Sequence, residues 1–155
     1  MEITLISLSV CIAAYVAYIV KDGIPQSLSA TYYQLGGDGW LFQMLMCLCA
    51  FGLLPVWLEV SDDAWSFLPF LGCGSLLFVA ASPCFRLPLD GSVHYGSAIV
   101  CGVSVVLWQL LEGLWDWLLF TSLIGWMGYL RYSKYMWWLE CVLVSSLIGN
   151  LLRLV

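Results

Sequence analysis

The side chains that could do chemistry in this chain sit in four places. His94 is the only histidine, and an imidazole is the group best suited to exchange a proton near neutral pH. It closely follows Asp90. Glu140 lies about one turn into the last apolar segment, where a carboxylate must find a partner or take up a proton. Ser27, Ser29 and Thr31 place three hydroxyls on a short stretch after the first apolar segment. On a helix, Ser27 and Thr31 would share a face. The fourth place is acidic: Glu59, Asp62, Asp63, Glu112 and Asp116. Carboxylate oxygens suit calcium or magnesium. Glu112 and Asp116 face the same way only if one helix runs through Gly113.

Each place also has a plainer structural reading. His94 can bond a loop carbonyl at the membrane interface, and Glu140 can bond across helices or reach Lys134. The hydroxyls can cap a turn or bond its backbone. Asp62 and Asp63 make a solvated turn. A Ser–His–acid set can be drawn from Ser29, His94 and Asp90 or Glu140, but any chain with one histidine allows such a drawing. A single histidine cannot build a usual zinc site without carboxylate help, and no cofactor or metal is expected. The chain has no P-loop, GxSxG, HExxH or dinucleotide fingerprint.

The elements that must position these residues are membrane helices. Of 155 residues, 63% are hydrophobic and 10% charged, against about 25% charged in a soluble domain. So few charges cannot clothe a surface in water, and lipid must cover much of it. Trp40, Trp57, Trp65, Tyr132, Tyr135, Trp137 and Trp138 fall at predicted helix ends, where amphipathic rings suit the headgroup layer. Some of these rings will serve only to pack the core. A net charge of −5 leaves no basic patch for nucleic acid. The seven cysteines form no CxxC pair and read as small buried hydrophobes. Glu2, where a signal peptide carries Lys or Arg, suggests that the first segment is retained.

Segment one is Ile3–Val20, 18 residues without a charge, enough to cross about 30 Å of hydrocarbon. Residues 24–37 are too polar to span; Pro25 and Gly36 bracket a short interfacial helix. Segment two runs from Trp40 to about Val60, with Pro55 able to kink it. Segment three is Ala64–Ala81, and a loop from Ser82 to Ser92 with Arg86 and Pro88 comes after it. Gly113 divides the next apolar stretch into Val93–Leu111 and Trp115–Leu130; one long tilted helix there would reduce six spans to five. Segment six starts at Tyr135. Ala98 and Gly102, Gly72 and Gly74, and Gly125 and Gly128 are thin places where helices could approach closely.

The fold class is therefore all-α: a single compact domain, 1–155, of six transmembrane helices (or five) with a short interfacial helix after the first. Lys21, Arg86, Arg131 and Lys134 fall in the first, third and fifth loops. The positive-inside rule puts those loops in the cytoplasm and both termini outside, in the cytoplasmic (inner) membrane. Arg153 alone sits on the other side.

Two stretches resemble a group of small bacterial membrane proteins of unassigned function. One is Ile24-Pro25-Gln26-Ser27-Leu28-Ser29-Ala30-Thr31-Tyr32-Tyr33. The other runs from Phe70-Leu71-Gly72-Cys73-Gly74 through Ala80-Ala81-Ser82-Pro83-Cys84-Phe85 to Val93-His94-Tyr95-Gly96-Ser97-Ala98. Six spans, with a histidine and small residues heading the fourth, also look like DRAM-type proteins, which are grouped near the ceramidase-like membrane hydrolases. Those hydrolases use several histidines, an Asp and a Ser around zinc; one histidine does not carry that mechanism over.

The leading expectation is a polytopic membrane protein acting by binding a lipid, or by binding another membrane protein or a second copy of itself. Its polar cluster would be Ser27, Ser29, Thr31, His94 and Glu140. A membrane-embedded lipid hydrolase using the same residues is the alternative. A small transporter or channel subunit is the third reading, for which Gln43, Ser75, Ser104 and Thr121 supply few polar groups at midplane.

Overall fold

A computed structural model describes residues 1–21, 23–84 and 89–155, with backbone only at 89 and 90. Asp22, Arg86, Pro88 and the Asp90 side chain lie outside the described residues. The chain forms α1 (Glu2–Val20), α2 (Thr31–Gln34), α3 (Trp40–Glu59), α4 (Phe67–Ala81), α5 (Leu89–Leu111), α6 (Trp115–Tyr132) and α7 (Tyr135–Leu154). Single 3₁₀ turns lie at Gly36–Asp38, Asp63–Trp65 and Ser82–Cys84. No strand occurs among the described residues.

Among the described residues, five stretches are long and apolar enough to cross a membrane: Glu2–Val20, Gly36–Glu59, Asp63–Cys84, Gly91–Leu111 and Tyr135–Leu154. The remaining long helix, α6, has 18 residues but carries Asp116 in its first turn and Arg131 in its last. Each long helix turns large apolar side chains outward, among them Ile3, Phe51, Phe78, Ile99, Leu123 and Leu139. An apolar surface on this scale fits lipid rather than water.

The expected break at Gly113 is present. Its φ of +72° is the left-handed conformation that glycine adopts without strain. The Leu114 N–H then reaches back to the Gln109 carbonyl at 2.7 Å and the Gly113 N–H to the Leu110 carbonyl at 3.2 Å, closing α5 as a Schellman motif does. One continuous helix over 93–130 is thereby excluded. Two other boundaries differ from expectation. The loop predicted for 82–92 is shorter: Ser82–Cys84 is a 3₁₀ turn and α5 begins at Leu89.

The interfacial helix predicted over 25–36 shrinks to one turn, Thr31–Gln34. Its backbone is engaged elsewhere. The Gln26 carbonyl accepts the Trp137 N–H at 3.1 Å, and the Leu28 N–H donates to the Glu140 carboxylate. Residues 24–30 are thus a strap tied to the first turns of α7, where helix N–H groups otherwise lack partners.

In the bundle, α4 packs most extensively on α5 and α3, and α6 on α7, while α1 leans on α3. Glycines set the close approaches. A Cβ at Gly72 would overlap the Trp57 ring, one at Gly125 would overlap Val142, and one at Gly128 would overlap Trp138. Gly74 faces open space and is not a packing position. Trp57 and Trp137, expected as helix-end rings, are both buried in the interior.

Candidate functional site

The strap over 24–30, the Ser82 turn, the start of α5 and the start of α7 enclose a vestibule of about 440 Å³. Ser27, Ser29, His94 and Glu140 all line it, with Tyr33, Tyr95 and Tyr135 around them. Four of the five residues singled out from the sequence therefore converge, although 113 residues of chain separate the first from the last. What ties them is the strap: the Leu28 N–H donates to Glu140 Oε2 at 2.5 Å. The Ser27 hydroxyl accepts the Ala30 N–H at 3.0 Å and lies 3.0 Å from the Ser29 hydroxyl. Such local bonds hold a serine-rich turn in shape without a helix.

Thr31 is the exception. It is fully buried, bonds the Tyr15 hydroxyl and donates to the Leu28 carbonyl. It turns into the bundle and does not line the vestibule. The shared face expected for Ser27 and Thr31 fails because the strap between them is not helical.

His94 bonds through Nδ1 to the Ser82 hydroxyl at 3.0 Å, not to a loop carbonyl. The Ser82 hydroxyl also donates to the Val79 carbonyl at 2.8 Å. A hydroxyl has one proton to give, so with that proton on Val79 its oxygen accepts from Nδ1–H. In the neutral ring Nε2 is then left with its lone pair. Ser82 is buried, and nothing in the sequence singles it out. A serine beside a proline looks like turn chemistry until the fold brings His94 against it.

Beneath the vestibule lies an apolar cavity of about 140 Å³ between α3, α4, α5 and α7. Ser29, Phe42, Ala98 and Glu140 line both spaces and make up the neck where the two adjoin. On α3 the lining runs Phe42, Met46, Cys49, Leu53 and Trp57, one stripe at helical spacing. Opposite it stand Val79 to Gly72 on α4, Ala98 to Val105 on α5 and Glu140 to Ile148 on α7. From first to last lining residue, α4 and α5 run seven steps, α7 eight and α3 fifteen, about 11 to 22 Å of helix at about 1.5 Å per residue. Small residues leave the room: Gly72, Ala98 and Gly102, with Cys49, Cys73 and Cys101. Of the seven cysteines expected as buried hydrophobes, Cys49 and Cys73 are buried and form cavity wall with the half-buried Cys101; Cys11 and Cys84 are exposed, and all seven are free thiols.

The acidic residues at the other end do not gather. Glu112 accepts the Asp62 N–H at 2.9 Å, while Asp116 pairs with Arg153 at 2.8 Å. The break at Gly113 sends them to different neighbours. Among the described residues no group of His, Cys, Asp or Glu could hold a metal ion. Three of the four candidate midplane polar groups are also engaged: Gln43 donates to the Ala80 carbonyl, and Ser104 and Thr121 bond carbonyls of their own helices. Between α5, α6 and α7 lies a buried network that the sequence did not announce. The Asn150 amide donates to Gln109 Oε1 at 2.8 Å and to the Leu114 carbonyl at 3.1 Å, and Gln109 reaches the Ser146 hydroxyl at 3.2 Å. Amide side chains deep in apolar segments were the available signal.

Compared with protein-family models, curated proteins and solved structures, the chain matches none, so the vestibule and the cavity beneath it carry the functional reading.

Proposed function

We propose that this chain is a six-helix membrane protein that binds one single-chain amphiphile. The polar head lies in the vestibule among Ser27, Ser29, His94 and Glu140, and the chain enters the apolar cavity. One observation carries the reading: a polar space and an apolar space that share four lining residues, Ser29, Phe42, Ala98 and Glu140. An amphiphile has the same division. The vestibule is within the usual range of about 300–1,000 Å³ for ligand sites. An apolar cavity of about 150 Å³ takes a benzene molecule, so the lower space holds the last several carbons of a chain. Left empty, it would cost about 3 kcal/mol at about 24 cal/mol per Å³. The vestibule is built from the first, third and fifth loops, where the Lys and Arg bias points to the cytoplasm; the ligand then enters from that leaflet.

The test is native mass spectrometry of the protein released from nanodiscs, comparing the wild type with Ala98→Phe, which fills the neck. The wild type should retain a lipid that the variant has lost, with helical content unchanged. Equal occupancy in both, or none in either, refutes the reading.

His94 favours a second reading, a lipid hydrolase. Its Nδ1 is held by Ser82, and Nε2 is left with the lone pair a general base needs. His94→Gln should then abolish ester or amide cleavage of the bound lipid while leaving its occupancy intact. A purified wild-type protein that leaves its own bound lipid uncleaved over hours removes this reading and leaves the first standing.

A further inference from the structure

We infer that the ligand carries one unbranched alkyl chain and that Trp57 is the floor that measures its length. The inference rests on the binding reading above. The α3 stripe that lines the cavity starts at Phe42 in the neck and ends at Trp57. Trp57 is 1% exposed and is held from three sides. The Trp108 ring meets it edge-on, with centroids 5.5 Å apart and planes at 81°. Trp108 is itself fixed, its Nε1–H donating to the Ser61 hydroxyl at 2.8 Å, while Ser61 donates to the Trp57 carbonyl at 2.6 Å. On the third side Gly72 brings the α4 backbone so near that a Cβ would fall 2.8 Å from the indole.

Below the floor the lining changes character. One turn past Val105 comes Gln109, bonded to Asn150 and Ser146, all three fully buried. An alkyl chain gains nothing by reaching a satisfied polar network and would lose by breaking it. The cavity is also small, about 140 Å³, close to the volume that takes one benzene molecule. It admits the end of one chain and no second.

A rigid floor predicts a length optimum. With affinity expressed against the probe's mole fraction in the bilayer, each methylene that fills the otherwise empty cavity should raise affinity by its packing contacts, until the chain end meets the indole; longer chains must then lift the head out of the vestibule. The experiment measures binding of monoacylglycerols, from hexanoyl to octadecanoyl, to the full chain in nanodiscs. Wild type is compared with Trp57→Ala, which lowers the floor, and Leu53→Trp, which raises it by one turn. The expected optima move in opposite directions, longer for Trp57→Ala and shorter for Leu53→Trp, each by about four methylenes, the length of one helical turn. If Trp57→Ala does not fold, Leu53→Trp decides alone. An unchanged optimum in a folded Leu53→Trp variant overturns the ruler, as does affinity that keeps rising with length in the wild type. Ala98→Phe separates the ruler from binding itself. If it abolishes binding while the optimum ignores Trp57 and Leu53, the ruler falls and the binding reading stands. If no probe binds the wild type, both fall.

Discussion

The Glu140 carboxylate accepts the Leu28 N–H at 2.5 Å across 112 residues of chain. It is the joint between the strap and α7, and Glu140 also stands in the neck between vestibule and cavity. One side chain therefore shapes the site and faces its contents. Glu140→Ala leaves the Leu28 N–H without its partner and should cost about 1–3 kcal/mol. Glu140→Gln keeps an acceptor oxygen and should cost less than half as much. Unfolding midpoints of the two variants in one detergent, with amide exchange at Leu28, check the order. Equal losses would mean that charge, not the bond to the strap, is what the position supplies.

Thr31 is expected to act on stability and not on ligand. Thr31→Val keeps the shape and removes the bonds to Tyr15 and Leu28, for about 1 kcal/mol. A double-mutant cycle with Tyr15→Phe should show coupling. Lipid occupancy by native mass spectrometry should match the wild type, whereas Ser29→Val, at the neck, should change it.

Two glycines in one helix turn should give opposite answers. Gly72→Ala pushes a methyl into the Trp57 ring, and overpacking of this kind costs about 1–3 kcal/mol. Gly74→Ala meets nothing within 4 Å and gains up to about 1 kcal/mol from helix propensity. Thermal unfolding of the pair tests whether the Trp57 floor is as closely packed as the structure has it.

The polar bonds at the far end should rank by burial. Asn150→Leu strands the Gln109 oxygen and the Leu114 carbonyl in the interior, for about 2–4 kcal/mol. Arg153→Gln breaks an exposed pair with Asp116, worth about 0–1 kcal/mol. Comparable losses in the two variants would contradict the closed network beneath the cavity.

Much of the scaffold could be read from pattern. Charge-free runs of membrane length, Gly113 between two of them, and the turn at 131–134 mark α1, α3, α5, α6 and α7 within a few residues, because local hydropathy and backbone freedom decide where such helices start and stop. The strap could not be read this way. Its residues look like a capped helix, and only the competing claims of Glu140 and Trp137 on its backbone pull it out of one.

By itself the sequence determined that this is a helical chain with a lipid-compatible surface, and that the few polar side chains in its apolar segments, Glu140 and His94 among them, had to find partners. Composition and the cost of burying polar groups suffice for that. It could not say which partners. That Ser82 holds His94, that Thr31 turns inward while Ser27 and Ser29 do not, and that Trp57 is buried against a cavity instead of exposed at a helix end were decided only by tertiary structure. Each is a pairing between groups distant in the chain, set by which helix faces meet and where glycine lets them approach, and no local pattern encodes which faces those are.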